Sequence, residues 1–76
     1  MNQQEFLAKR AELKRALAVT AELTGTALSA AAVDVMVDDL QTYDTAAVLS
    51  ALNRCRRELT GRLSLAAILE RIDTGL

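Results

Sequence analysis

The sequence has no histidine, no proline, one cysteine, three glycines and two aromatic residues, Phe6 and Tyr43. Without histidine, the commonest general base and the commonest metal ligand are both missing. With Cys55 alone, an intrachain disulfide is excluded and a reducing compartment is the simpler setting. A zinc site would need ligands that one thiol and scattered carboxylates do not supply. Gly25 and Gly61 stand isolated, so no glycine-rich phosphate cradle forms. The longest uncharged stretch, Leu23 to Val33, falls far short of the ~20 residues that cross a bilayer, and the N-terminus lacks a basic segment followed by an apolar one. These absences lead to the expectation of a cytoplasmic protein without a membrane span, with no catalytic residues, no cofactor and no metal.

What is abundant is alanine and leucine. Of 76 residues, 51% are hydrophobic, and 14 of these are Ala and 13 are Leu. Strong helix formers and the absence of proline allow uninterrupted helices that approach closely through small side chains. The chain length suits one domain, residues 1–76, with a net stability of roughly 4 to 11 kcal/mol. The expected fold is therefore all-α, a compact bundle of four helices.

The helix starts are written locally. Leu28-Ser29 with Val33, Tyr43-Asp44 with Val48, and Leu63-Ser64 with Ile68 each place a side-chain acceptor after one apolar residue and four before another. That is the spacing of an N-cap with a hydrophobic staple. Asn2, with Glu5 in capping-box register, starts the first helix in the same way, and Glu5–Lys9 has the i,i+4 spacing of a weak ion pair. The spacing predicts helices over about 3–24, 30–40, 45–60 and 65–73. Gly25, Gly61 and Gly75 are the expected stops.

Helical periodicity then assigns the inward faces. In the first helix these are Phe6, Leu13, Leu17 and Thr24, with Ala16 and Leu23 at the edge. The second contributes Val33, Met36, Val37 and Leu40, and the third Val48, Ala51, Leu52, Cys55 and Leu59. Leu65, Ile68, Leu69 and Ile72 complete the core from the last. Cys55, at the centre of an apolar stripe, reads as a packed thiol, although Arg54 and Arg56 nearby would lower its pKa.

Net charge is −1, which removes the simple electrostatic case for nucleic acid. The distribution is uneven: residues 26–46 carry four Asp and no base, and residues 47–76 carry five Arg against three acids. Asp34, Asp38 and Asp39 face outward as a solvated helix face, without the alternating oxygens and central glycine of a calcium loop. Val35 projects among them, an exposed apolar residue inside an acidic rim. Arg54 and Arg57 point outward from the third helix, Arg54 at i,i+4 spacing from Glu58. With Arg62, and with Arg56, which flanks the core stripe beside Leu49, they form the one cluster in the sequence that could touch phosphate. No aromatic residue stands beside them to stack a base.

From Leu28 onward the order of signals resembles a family of phage proteins that load and inhibit the replicative helicase. The resemblance is carried by the short capped helix ending in "VDDL", the "QTYD" turn, the "AAVLSAL" helix start and the final "GRLSLAAILERID", over roughly residues 28–73. Tyr43, Asp44, Val48, Leu52, Leu63, Ile68 and Ile72 bear most of it. The sequence departs from the family at Met36, where an aromatic is usual, and at Leu63-Ser64, where a proline is. Family members also carry a tail beyond the helical domain, which this sequence, ending at Leu76, does not show.

The resemblance implies a phage or prophage DNA-replication accessory protein, docking on a replicative helicase or an origin-binding protein and having no active site of its own. Its contact residues are expected to be Val35, Asp34, Asp38, Asp39, Arg54 and Arg57, an apolar anchor with charged rims that steer encounter. Two other readings stand beside it. One is a small helical DNA-binding regulator that uses the arginine face. The other is a homo-oligomeric module, since Leu7, Val19, Val35 and Leu49 all lie off their core stripes.

Overall fold

Four short polar side chains begin the four helices. In the computed structural model, which describes residues 2–72, Asn2, Ser29, Asp44 and Ser64 each accept a hydrogen bond from the backbone N–H three residues on, over 2.8, 3.0, 3.3 and 3.1 Å respectively. Each bond satisfies one of the free N–H groups of a first turn. The helices are α1 (Gln3–Leu23), α2 (Ala30–Leu40), α3 (Thr45–Glu58) and α4 (Leu65–Arg71). Together they form the expected all-α bundle of four helices. α3 packs against α1 and α4, and α1 also packs against α2. The result is a thin slab, 38 × 33 × 15 Å.

α1 ends as the sequence indicates. Gly25 has φ +70°, its N–H reaches the Glu22 carbonyl at 3.2 Å, and the Thr26 N–H reaches the Ala21 carbonyl at 2.7 Å. This is a Schellman closure, and its left-handed residue is why glycine stands there. α3 does not end in the same way. It stops at Glu58 rather than about Thr60, and Leu59 is extended with φ −79° and ψ 132°. Gly61 has no positive φ. Extending at Leu59 lets Leu59 and then Leu63 pack on the core, and the Leu63 N–H is held by the Thr26 hydroxyl at 2.8 Å. A tertiary pull thus ends this helix before the glycine is reached. Asp73 and Gly75, expected at the end of the last helix, lie outside the described residues.

The core takes Leu13, Leu17 and Ala21 from α1, and Met36, Val37 and Leu40 from α2. Val48, Ala51, Leu52 and Cys55 come from α3, with Leu63, Ile68 and Ile72 closing the far side. Val33, Leu59, Leu65 and Leu69 are partly buried against it. Two expectations on α1 need correction. Phe6 is 46% exposed and Leu23 64%, while Thr20 and Ala21 are buried in their place. Phe6 lies on the core stripe but about two turns before Leu13, at the rim of the bundle. Thr20 can be buried because its hydroxyl donates to the Ala16 carbonyl at 2.8 Å, so no polar group is left unsatisfied.

Candidate functional site

The acidic face of α2 is not the free rim that its spacing suggests. Lys14 reaches Asp34 at 2.8 Å, and Arg10 reaches Asp38 at 2.6 Å and Asp34 at 3.7 Å. Arg10 also donates to the Gln41 side chain at 2.8 Å. Two of the three aspartates therefore serve as ties between α1 and α2. The Lys14 hydrogen bond and charge, with Arg10 behind them, hold the Asp34 carboxyl below the usual carboxylate range. Val35 stands outward at 61% exposure. Asp39, one turn further on, has no ion pair among the described residues, so the expected patch reduces to Val35 and Asp39.

The arginines diverge in space. Arg54 donates to Glu58 at 2.9 Å, and Arg71 of α4 shares the same carboxylate at 3.1 Å. These two guanidiniums push the Glu58 carboxyl down, with the Arg54 hydrogen bond the largest influence. Arg56 turns instead toward Asn53 and lines a groove against α1. Arg57 is exposed and has no ion pair among the described residues. The arginine run of the sequence is thus split between two sides of α3, and one of its members is compensated. The Glu5–Lys9 pair does not form among the described residues.

Cys55 is fully buried. Burial pushes its thiol pKa up, outweighing the opposite pull of Arg71 and Arg54. Arg54 does pull the thiol down, as its place in the sequence suggests, but burial outweighs it, and Arg56 takes no part. A buried, protonated thiol is a packing group rather than a nucleophile. Among the described residues no group of three potential ligands is placed to hold a metal ion, and no helix is long and apolar enough to cross a membrane.

What periodicity missed is at the end of the bundle. Phe6, at the start of α1, and Tyr43, in the turn between α2 and α3, line one pocket of about 140 Å³. Buried Leu13 is at its base, and Lys9 and Asp44 are at its rim. The two aromatic residues of the chain, 37 positions apart in the sequence, meet here with 46% and 40% of their surface exposed. Asp44 is held in place by its N-cap bond to Ala47, and the Tyr43 N–H by the Leu40 carbonyl at 3.1 Å. Tyr43 therefore projects from a turn whose backbone is anchored at both sides. The signal for this site was compositional: in a chain with two aromatics, their positions matter more than their helical phase.

A second opening, about 350 Å³, runs between α1 and α3. Its walls include Ala16 and Val19 from α1 and Leu49 and Leu52 from α3, with Glu12, Arg15 and Arg56 at the edges. Val19 and Leu49, which the periodicity leaves off both core stripes, are brought together here.

No protein-family model matches the chain, and no curated protein or solved structure is significantly similar to it.

Proposed function

We propose that the chain is a non-enzymatic helical adaptor that acts by protein–protein contact, in the manner of the phage helicase-loader family that residues 28–73 resemble. Its partner on this reading is a replicative helicase or an origin-binding protein, and its place of work is DNA replication of a phage or prophage. The observation that carries the reading is the meeting of Phe6 and Tyr43. Half-exposed aromatics beside a buried leucine are the kind of anchor that dominates protein interfaces, because a rigid ring buries much area at little entropic cost. Lys9 and Asp44 at the rim supply charges of both signs that steer a partner and fix its orientation. Tyr43 and Asp44 are also the aromatic-acid pair of the "QTYD" turn on which the resemblance rests.

The test is titration of the protein onto an immobilised, purified bacterial replicative helicase. Binding in the micromolar range is expected, about −8 kcal/mol. The double substitution Phe6→Ala with Tyr43→Ala should weaken it by about tenfold or more, as loss of anchor residues does. Both side chains are half exposed, so the variant keeps its fold. Absence of binding at ~100 μM, a concentration that reveals contacts as weak as about −5.5 kcal/mol, would remove the reading.

A further inference from the structure

The groove between α1 and α3 has a property that the aromatic end lacks: its edge is self-complementary. Arg15, Ala18, Val19 and Glu22 stand at i, i+3, i+4 and i+7 on α1, one outward ridge, and all four are exposed. Arg15 and Glu22 are about 10.5 Å apart along the axis at 1.5 Å per residue, too far to pair with each other. Neither makes an ion pair among the described residues, whereas Arg10 and Lys14 of the same helix are taken up by α2. The ridge therefore carries a positive end, a small and apolar middle, and a negative end. Beside the middle lies the apolar wall of Val19 and Leu49.

We propose that a second copy of the chain docks here, the two α1 helices antiparallel about a two-fold axis between Ala18 and Val19, so that Arg15 of each copy pairs with Glu22 of the other. A two-fold contact uses the same patch twice, so every pairing occurs in duplicate. The antiparallel arrangement gives two Arg–Glu pairs, whereas the parallel one would set Arg15 against Arg15 and Glu22 against Glu22. Like charges face to face exclude the parallel register. Ala18 at the crossing lets the helix axes approach to the ~8 Å of close-packed helices, and Val19 is covered by the partner's Val19 and Leu49.

The chain exposes 5025 Å². A standard contact of ~800 Å² per partner would cover about a sixth of it. The inference stands apart from the adaptor reading, because it uses neither Phe6 nor Tyr43.

Sedimentation equilibrium from ~10 to ~300 μM tests it, a range that brackets weak homodimers. The wild-type chain should dimerise within that range. Arg15→Glu and Glu22→Arg should each weaken dimerisation by about tenfold or more, since each sets two like-charge pairs across the axis. The double reversal, Arg15→Glu with Glu22→Arg, should return it to within about threefold of wild type, because the pairs are then reversed but intact. Val19→Glu should abolish it. Circular dichroism of each variant checks that helicity is unchanged, as expected for exposed positions. A wild-type chain that stays monomeric throughout overturns the proposal. So does a double reversal as weak as the single ones.

Discussion

Truncating Leu52 to alanine should cost about 2 to 3 kcal/mol, and truncating Leu40 about 3 to 5. Both side chains are buried, at 2% and 0% exposure, so both lose about three methylene equivalents of transfer energy, roughly 2.4 kcal/mol. They differ in what surrounds the void. Leu52 forms part of the wall of the α1–α3 groove, so its cavity opens toward solvent and Leu49 can settle into it. Leu40, at the end of α2, lines neither of the two openings described above, so its cavity stays closed and the full penalty remains. Arg57→Ala on the outer face of α3 should cost under about 0.5 kcal/mol. For a domain of this length the unfolding entropy is about 160 cal/mol/K, so each kcal/mol lowers Tm by about 6 °C. Thermal melts followed by circular dichroism should thus rank Arg57→Ala within a few degrees of wild type, Leu52→Ala about 12 to 18 °C lower, and Leu40→Ala lower still. If Leu52→Ala melted with Arg57→Ala, the packing of α3 described here would be wrong. If it melted below Leu40→Ala, the open groove would not be softening the loss.

Gly25→Ala should cost about 1 kcal/mol, because φ +70° suits only glycine. Gly61→Ala, where an added Cβ meets nothing within 4 Å, should be neutral or stabilising by up to about 1 kcal/mol through a stiffer unfolded chain. Asp34 and Glu58 have folded pKa values below their unfolded ones. Their contribution is present above the ordinary carboxylate range and lost as pH falls through the folded values. Asp34→Asn with Glu58→Gln should therefore flatten the acid side of a stability–pH curve below about pH 4 while changing its shape little at neutral pH. Cys55 should resist a thiol-labelling reagent at pH 8 in buffer and react at once in denaturant, because the thiol is both enclosed and raised in pKa.

The features legible in the sequence are those decided within a few residues. Asn2, Ser29, Asp44 and Ser64 could be named as caps because a cap bonds a backbone group three positions away, and Gly25 because its left-handed turn is made by its own neighbours. Val35 follows from helical phase alone. The errors share a different origin. Phase placed Phe6 toward the core but could not reveal that α1 extends past the rim of the bundle. Gly61 looked like a stop, yet the end of α3 is decided by Leu59 and Leu63 reaching a core built from other helices.

The candidate site depended still more on distant partners. Asp34 and Asp38 read as solvated until Arg10 and Lys14 were set beside them, and that Arg54 shares Glu58 with Arg71 depends on α4 packing against α3. The meeting of Phe6 with Tyr43 depends on the whole path of α1 and α2 and has no local signature. Thr20 escaped the periodic pattern because a threonine whose hydroxyl bonds its own helix behaves as an apolar residue.

The central claim is that the aromatic end, rather than the arginines of α3, receives a protein partner. Amide chemical-shift mapping of the isotope-labelled protein during titration with a purified bacterial replicative helicase tests it most directly. The account predicts broadening and shifts concentrated at residues 5–9 and 41–45, with the amides of Arg54 to Arg57 unmoved. Perturbation confined to residues 54–57 and 62, with Phe6 and Tyr43 unaffected, would contradict it.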